Sequence, residues 1–455
     1  MQQLVWDQVL IEKYNYSGPR YTSYPTALEF AEDFNHSHLM DETKTYPTRH
    51  LSLYIHIPFC HKLCYFCGCN KTITRHQEKA DKYLDFLEKE IAHQATHFKD
   101  RTVSQLHWGG GTPTFLLPPQ ITRLMNMLRT HFHFSQQAEI SIEVDPREIE
   151  LDTINHLAQE GFNRLSLGIQ DFNKDVQKAV NREQDEEFIA QLLTRAKAQG
   201  FESINLDMIY GLPLQTKESF ALTLEKVLAL DPARLSIFNY AHMPSLFAAQ
   251  RKINEDDMPE PAEKLKMLQH TISFLTQSGY QFIGMDHFAK PDDELAIAQQ
   301  QGVLHRNFQG YTTQEDTDLL GMGVSAISQI GHCYSQNQKK LSDYYAQVES
   351  MDHAQWRGVA LNQDDLIRRE VIKQLICNFK LDKKVIEDKF SLDFDHYFAE
   401  DLSLLQTFID DQLVSDNNGV IQVSPTGQLL IRNICMCFDV YLRDKARRQQ
   451  FSRVI

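Results

Sequence analysis

The chain has 455 residues, 42% hydrophobic and 24% charged, an ordinary globular composition with room for one large domain and one or two smaller ones. Its 46 Lys and Arg against 61 Asp and Glu leave a formal net charge of −15, which argues against a general nucleic-acid or membrane-surface binder. No apolar leader opens the sequence and no stretch approaches the roughly 18 apolar residues of a membrane span, so a cytoplasmic protein is expected.

Residues 1–35 form the first region. Tyr14 to Thr26 holds four tyrosines, two prolines and a glycine. Such a stretch cannot be a long helix and is too aromatic for a disordered linker. It reads as an ordered arm, either packed on another surface or acting as a lid over a substrate.

From residue 51 a strand–helix rhythm begins, which implies a parallel sheet. Candidate strands are 51–59, 105–110, 139–145, 164–170, 203–210 and 234–240, with helical patterns at 78–97, 118–132, 185–199 and 216–229. Six such units give an α/β fold, a partial (β/α)6 barrel of parallel strands. A closed eight-stranded barrel is the alternative, and 281–288 could add a strand. Strands buried on both faces usually read as unbroken apolar runs, yet these alternate. Leu51, Leu53, Ile55 and Ile57 oppose Tyr54 and His56; Ile140, Ile142 and Val144 oppose Ser141, Glu143 and Asp145. Leu165, Leu167 and Ile169 oppose Ser166, Gly168 and Gln170; Ile204, Leu206 and Met208 oppose Asn205 and Asp207. The apolar set must face the helices, so the polar set converges on one lumen, which suits a polar ligand.

Directly after the first strand come Cys60, Cys64 and Cys67 at C-x3-C-x2-C spacing, with Cys69 two residues further on. Thiolates this dense are metal ligands or disulfide formers. A zinc site would want a second ligand pair downstream, and the other cysteines offer none at that spacing. Three thiolates can hold three irons of a [4Fe–4S] cluster and leave the fourth iron open. Cys69 reads as a neighbour of the cluster rather than a ligand. Cys333, Cys377, Cys435 and Cys437 read as buried small hydrophobes. After the second strand, Gly109-Gly110-Gly111-Thr112-Pro113 lets a ligand approach the backbone at the strand end where (β/α) sites lie.

After about residue 290 the rhythm fades, and 302–330 is expected to be loop-rich. Residues 36–355 are expected to form the barrel domain and 356–455 a mostly helical domain with a small β-wing at Val420 to Pro425. That domain reads as a structural cap, with a winged-helix module as the alternative. The basic end, Arg443 to Arg453, is a solvated face or a local anion site.

The cysteine motif, with an aromatic before its third cysteine, resembles that of the radical S-adenosylmethionine superfamily. Tyr14–Thr26, Cys67-Gly68-Cys69, Ile142–Pro146, Asn181-Arg182-Glu183 and Phe238–Ala241 resemble, more narrowly, the oxygen-independent coproporphyrinogen III oxidases of haem biosynthesis, over essentially the whole chain. Haem-chaperone relatives generally lack both the tyrosine-rich arm and the cysteine at position 69. The resemblance implies one [4Fe–4S] cluster on Cys60, Cys64 and Cys67 and two S-adenosylmethionine molecules. These would be contacted by Tyr54, Phe66, Gly110, Gly111, Thr112, Glu143, Gln170, Arg182, Asp207, Ala241 and Ile327, with Tyr54 and Cys69 at the reacting centre. It implies oxidative decarboxylation of two propionates to vinyl groups by a monomer. The expected partners are coproporphyrinogen III and an electron donor such as a flavodoxin or ferredoxin. Arg20 in the arm is a candidate for a substrate carboxylate.

Overall fold

The computed structural model describes residues 4–45, 49–315, 317–443 and 451. Most of the basic end, Arg443 to Arg453, therefore lies outside the described residues. Two compact units emerge, and both are discontinuous in sequence. One gathers 30–264 and 316–360; the other gathers 1–29, 265–315 and 361–455. The sequence limits at 35 and 355 cut the chain differently, because the arm and the 265–315 segment share their unit with the C-terminal helices.

The first unit holds the barrel. Its strands are β1 (His50–Ile57), β2 (Thr102–Gly110), β3 (His133–Val144), β4 (Arg164–Gln170), β5 (Ser203–Tyr210), β6 (Arg234–Asn239), β7 (Thr317–Met322), β8 (Ile327–Ile330), β9 (Cys333–Asn337) and β10 (Gln355–Ala360). They lie in the order β10-β9-β8-β7-β1-β2-β3-β4-β5-β6. The pairs from β7 across to β6 are parallel, and β8, β9 and β10 continue antiparallel. All six expected strands are present, and β7 adds a seventh parallel one. The helices α1 (Glu78–Ala95), α2 (Pro118–His131), α3 (Leu151–Gln159), α4 (Glu186–Ala198) and α5 (Lys217–Ala229) alternate with the strands. Side-chain caps start two of them: Asp185 accepts from the Glu187 and Phe188 amides, and Thr216 from Ser219.

Burial follows the period of two in β4 but not in β1, where Ser52 and His56 are buried along with the apolar face. Leu51, Leu53, Ile55 and Ile57 are fully buried. In β4 the apolar positions are buried and every alternate position, including Ser166 and Gln170, is only partly so. The polar faces thus line a lumen that a ligand can enter.

In the second unit, Gln281–Gly284 and His287–Ala289 pair antiparallel, as do His305–Asn307 and Gly310–Thr312. Residues 302–330 therefore carry more strand than their loop-rich composition suggests. The C-terminal part packs Gln363–Asn378, Lys383–Phe390 and Ala399–Asp410 with a three-stranded wing of Lys380–Asp382, Val420–Val423 and Val414–Asn417. Cys333, Cys377, Cys435 and Cys437 are buried in their respective units.

Candidate active site

The cysteine loop leaves the end of β1 and is pinned by its backbone. Phe59–Cys60 pairs in parallel with Thr72–Ile73, Tyr65 N donates to Val180 O at 3.0 Å, and Asn181 Nδ2 donates to Leu63 O at 2.7 Å. Tyr65 and Phe66 pack on a core of Val176, Val180, Ile209, Leu212, Tyr240 and Ile253. The loop is therefore shaped by packing as well as by anything its sulfurs bind.

The sulfurs sit among hydrogen-bond donors. Thr112 Oγ1 donates to Cys60 Sγ at 3.4 Å. Arg147 Nη2 and Arg182 Nη1 donate to Cys64 Sγ at 3.2 and 3.3 Å. Asp145 joins these two arginines, accepting from Arg147 Nη2 at 2.6 Å and Arg182 Nη1 at 3.1 Å. Burial would raise the Asp145 carboxyl, but the two guanidiniums outweigh it and hold it well below the usual range. A hydrogen bond from the Cys69 thiol, with Lys71 nearby, draws the Cys67 thiol down to about 6, and that same bond to Cys67 pushes Cys69 up. Burial lifts Cys60 to about 12. Among the described residues no group of three or more His, Cys, Asp or Glu is arranged to hold a metal ion. A cluster spreads its thiolates wider than one ion does, and donors aimed at sulfur stabilise an anionic thiolate-bound group, so the donor set suits a cluster.

The glycine run meets this loop. Gly111 N donates to Ile57 O and Thr112 N to Phe59 O, both at 2.8 Å. A Cβ at Gly111 would stand 2.8 Å from the Pro58 and Phe59 carbonyl oxygens. Gly110 has φ +117°, and a Cβ there would come within 2.6 Å of the His56 ring. Both positions require glycine.

Across the lumen the polar faces form two chains. Tyr54 Oη lies 3.1 Å from His56 Nδ1, and the Tyr54 and His107 rings stack at 5.9 Å. His107 reaches Ser141 Oγ at 2.6 Å and Glu143 Oε1 at 3.3 Å, and Gly110 N donates to Glu143 Oε2 at 3.2 Å. Glu143 keeps 46% of its side chain open to the lumen. Burial opposes its charge, but the His107 hydrogen bond and the Gly110 amide lower its pKa on balance. In the second chain Asp207 accepts from Ser166 Oγ and Asn205 Nδ2, both at 2.8 Å, and Ser236 Oγ donates to Asn205 Oδ1 at 3.1 Å. Here burial dominates and pushes Asp207 up to about 6. Gln170 Oε1, buried at the mouth of β4 where the backbone turns to φ +67°, has no hydrogen-bond partner among the described residues. An orphaned acceptor and an open carboxylate on adjacent lumen-facing strands are what a polar, amine-bearing ligand such as S-adenosylmethionine would satisfy.

Arg182 donates from Nη2 to Gly168 O at 2.6 Å, joining β4 to the cysteine loop. Ile327 opens β8 beside β7, whose Gly321 faces Tyr54 in register. Gln250 Nε2 donates to Phe66 O at 3.0 Å and Ala241 O at 3.2 Å, which fixes these two backbone positions together. The fold thus brings the sequence-selected residues onto the carboxyl ends of adjacent strands and the loops after them. Arg147 and Gln250 were not singled out by sequence; Asp145-Pro146-Arg147 at a strand end was the available signal for the first, and nothing local marks the second.

Residues 54–227 match the Radical SAM superfamily and residues 361–430 the HemN C-terminal domain. An oxygen-independent coproporphyrinogen III oxidase of Escherichia coli is 68% identical over 455 residues, covering 100% of both chains, and one of Salmonella typhimurium is 67% identical, covering 100% of this chain and 99% of its own. The solved coproporphyrinogen III oxidase of Escherichia coli, described as a radical SAM enzyme, superposes with a TM-score of 0.94 at 65% identity, covering 97% of this chain and 100% of that one. This chain belongs to the oxygen-independent coproporphyrinogen III oxidases, within the radical S-adenosylmethionine superfamily.

Proposed function

We propose that the chain converts two propionates of coproporphyrinogen III to vinyl groups, giving protoporphyrinogen IX, with CO2, methionine and 5′-deoxyadenosine released. The observation that carries this reading is the junction of the cysteine loop, the glycine run and Glu143 at the ends of β1, β2 and β3. When bound, the cluster and S-adenosylmethionine supply one-electron cleavage of a sulfonium and hence hydrogen-atom abstraction. Cys60, Cys64 and Cys67 hold the cluster, and Arg147 and Arg182 offset the negative charge gathered at Cys64. Two S-adenosylmethionine molecules divide the contacts of Tyr54, Phe66, Gly110, Gly111, Thr112, Glu143, Gln170, Arg182, Asp207, Ala241 and Ile327. Glu143 would take an ammonium, the Tyr54 ring would suit a sulfonium, and Arg182 would take a carboxylate. Cys69 acts beside the cluster through its hydrogen bond to Cys67. The enzyme works as a cytoplasmic monomer that takes electrons from a flavodoxin or ferredoxin; no helix among the described residues is long and apolar enough to cross a membrane.

Anaerobic turnover of reconstituted protein with coproporphyrinogen III, S-adenosylmethionine and a reductant tests this. Roughly two 5′-deoxyadenosines per protoporphyrinogen IX are expected, one hydrogen abstraction being needed for each propionate. Deoxyadenosine formed without vinyl product would discard the substrate.

A further inference from the structure

Outside the cysteine site, the second unit holds Arg20, Arg306 and Arg432, with the charges of the first two acting on the third. Arg20 of the arm forms an ion pair with Asp286. Arg432 donates from Nε to Pro19 O at 2.8 Å and from Nη2 to Gly18 O, gripping the two carbonyls that precede Arg20. The Arg306 guanidinium lies 4.6 Å from the centre of the Tyr311 ring. Its Nε and Nη1 are buried and have no hydrogen-bond partner among the described residues. Burial, joined by the charges of Arg20 and Arg306, brings Arg432 down to about 9 against the opposing pull of Asp286 and Tyr21. Of the three, Arg432 is buried, while Arg20 and Arg306 keep partial exposure.

Two guanidiniums whose charges bear on a third, with one carboxylate paired to Arg20, are unusual in a chain whose net charge is −15. Two enclosed N–H groups without acceptors cost free energy that a hydrogen-bonded anion would recover. The Tyr311 ring gives the Arg306 guanidinium a cation–π partner at 4.6 Å and leaves its N–H groups for a carboxylate. We infer that Arg306, with Arg20 beside it, forms a carboxylate-binding subsite that takes a propionate of the porphyrinogen. Arg432 keeps the subsite positive and fixes the arm that carries Arg20, while Asp286 holds the Arg20 side chain in place. This inference rests on coproporphyrinogen III being the substrate.

The test uses full-length reconstituted protein with coproporphyrin III, the oxidised tetracarboxylate, as an anaerobic fluorescence-titration probe, followed by turnover of coproporphyrinogen III. Arg306→Ala and Arg306→Gln should each weaken coproporphyrin III binding roughly tenfold or more and raise KM by a similar factor, the loss of one charge-assisted contact. Arg306→Lys should recover only part, since it restores the charge without the fork. Iron content and thermal midpoint should match the wild type, which separates a binding role from a structural one. Unchanged Kd and KM in Arg306→Ala with full iron content would overturn the subsite. A drop in midpoint that tracks the loss of binding across all three variants would overturn it in favour of a structural arginine. Wild-type protein that neither binds coproporphyrin III nor turns over the porphyrinogen would instead remove the substrate itself.

Discussion

Asp207 and Glu143 share the lumen but titrate in opposite senses. Glu143 gains a histidine and an amide as partners, which lower it; Asp207 gains only neutral donors, and burial raises it to about 6. A carboxyl whose folded pKa lies above its ordinary value of 3.8 holds an extra proton in the folded state between the two values. Stability contributed by that proton is complete below pH 4 and is lost as pH rises through about 6. Asp207→Asn should therefore flatten the fall in stability between pH 4 and 6 in protein without cofactors, leaving the slopes from Asp439, which burial raises to about 6, and from Glu90 and Asp171, which burial also raises. Thermal unfolding of both proteins across pH 4 to 7 checks this, and parallel curves would show that Asp207 does not titrate there. Glu143, Gln170 and Asp207 were legible in the sequence because period-two alternation assigns each to a face without knowledge of any partner. Arg147 and Gln250 were not, since each reaches its target from a turn and the target lies 83 or 184 positions away.

At the scale of the element, β7 shows where alternation fails as a guide. Leu319 to Ser328 reads as a small-residue loop, yet Thr317–Met322 pairs in parallel with β1 from His50 to Ile55. Gly321 breaks the apolar pattern because the space its side chain would fill is taken by backbone: a Cβ there would stand 2.4 Å from Ile327 O. The Gly321 amide also donates to Ser328 Oγ at 2.9 Å, tying β7 to β8. That close approach sets Ile327 against β7 at Gly321, the position that pairs with Tyr54 of β1. Gly321→Ala must push β8 away from β7, and the backbone carbonyl it meets has no rotamer to escape into. A cost of about 1–3 kcal/mol is expected, the usual penalty for overpacking, read as a fall of several degrees in the thermal midpoint. An unchanged midpoint would mean that β8 is free to move. The other parallel strands were legible because their apolar faces are unbroken, as in β1, whose Leu51, Leu53, Ile55 and Ile57 are all fully buried.

Over the whole molecule, sequence order and spatial order part company most in the arm. Its aromatic, proline-bearing composition marks it as ordered but does not say what it covers. In the second unit it is bound by residues some 400 positions downstream. Tyr14 stacks on Phe408 with ring centres 4.5 Å apart, Asn433 Nδ2 donates to Tyr14 O at 2.9 Å, and Tyr21 Oη donates to Asp439 Oδ2 at 2.9 Å. Arg432 is buried, as are Phe408, Asn433 and Asp439, and it satisfies the carbonyls of Gly18 and Pro19. Its removal would leave those acceptors enclosed without their donor, at about 1–3 kcal/mol for each. Such a loss falls on the arm rather than on the C-terminal helices, because residues 18–26 belong to no helix or strand that would hold them once their side-chain and carbonyl contacts are weakened. Arg432→Met keeps an apolar body of comparable length and should raise the open population of the arm roughly tenfold or more, 1.4 kcal/mol being a factor of ten. Trypsin then has a reporter within the arm, since the Arg20–Tyr21 bond is a cleavage site that the closed arm protects. Faster cleavage at Arg20 in Arg432→Met, with the midpoint of the remaining protein little changed, is the expected result. Equal cleavage rates would show that the tyrosine contacts hold the arm without the arginine.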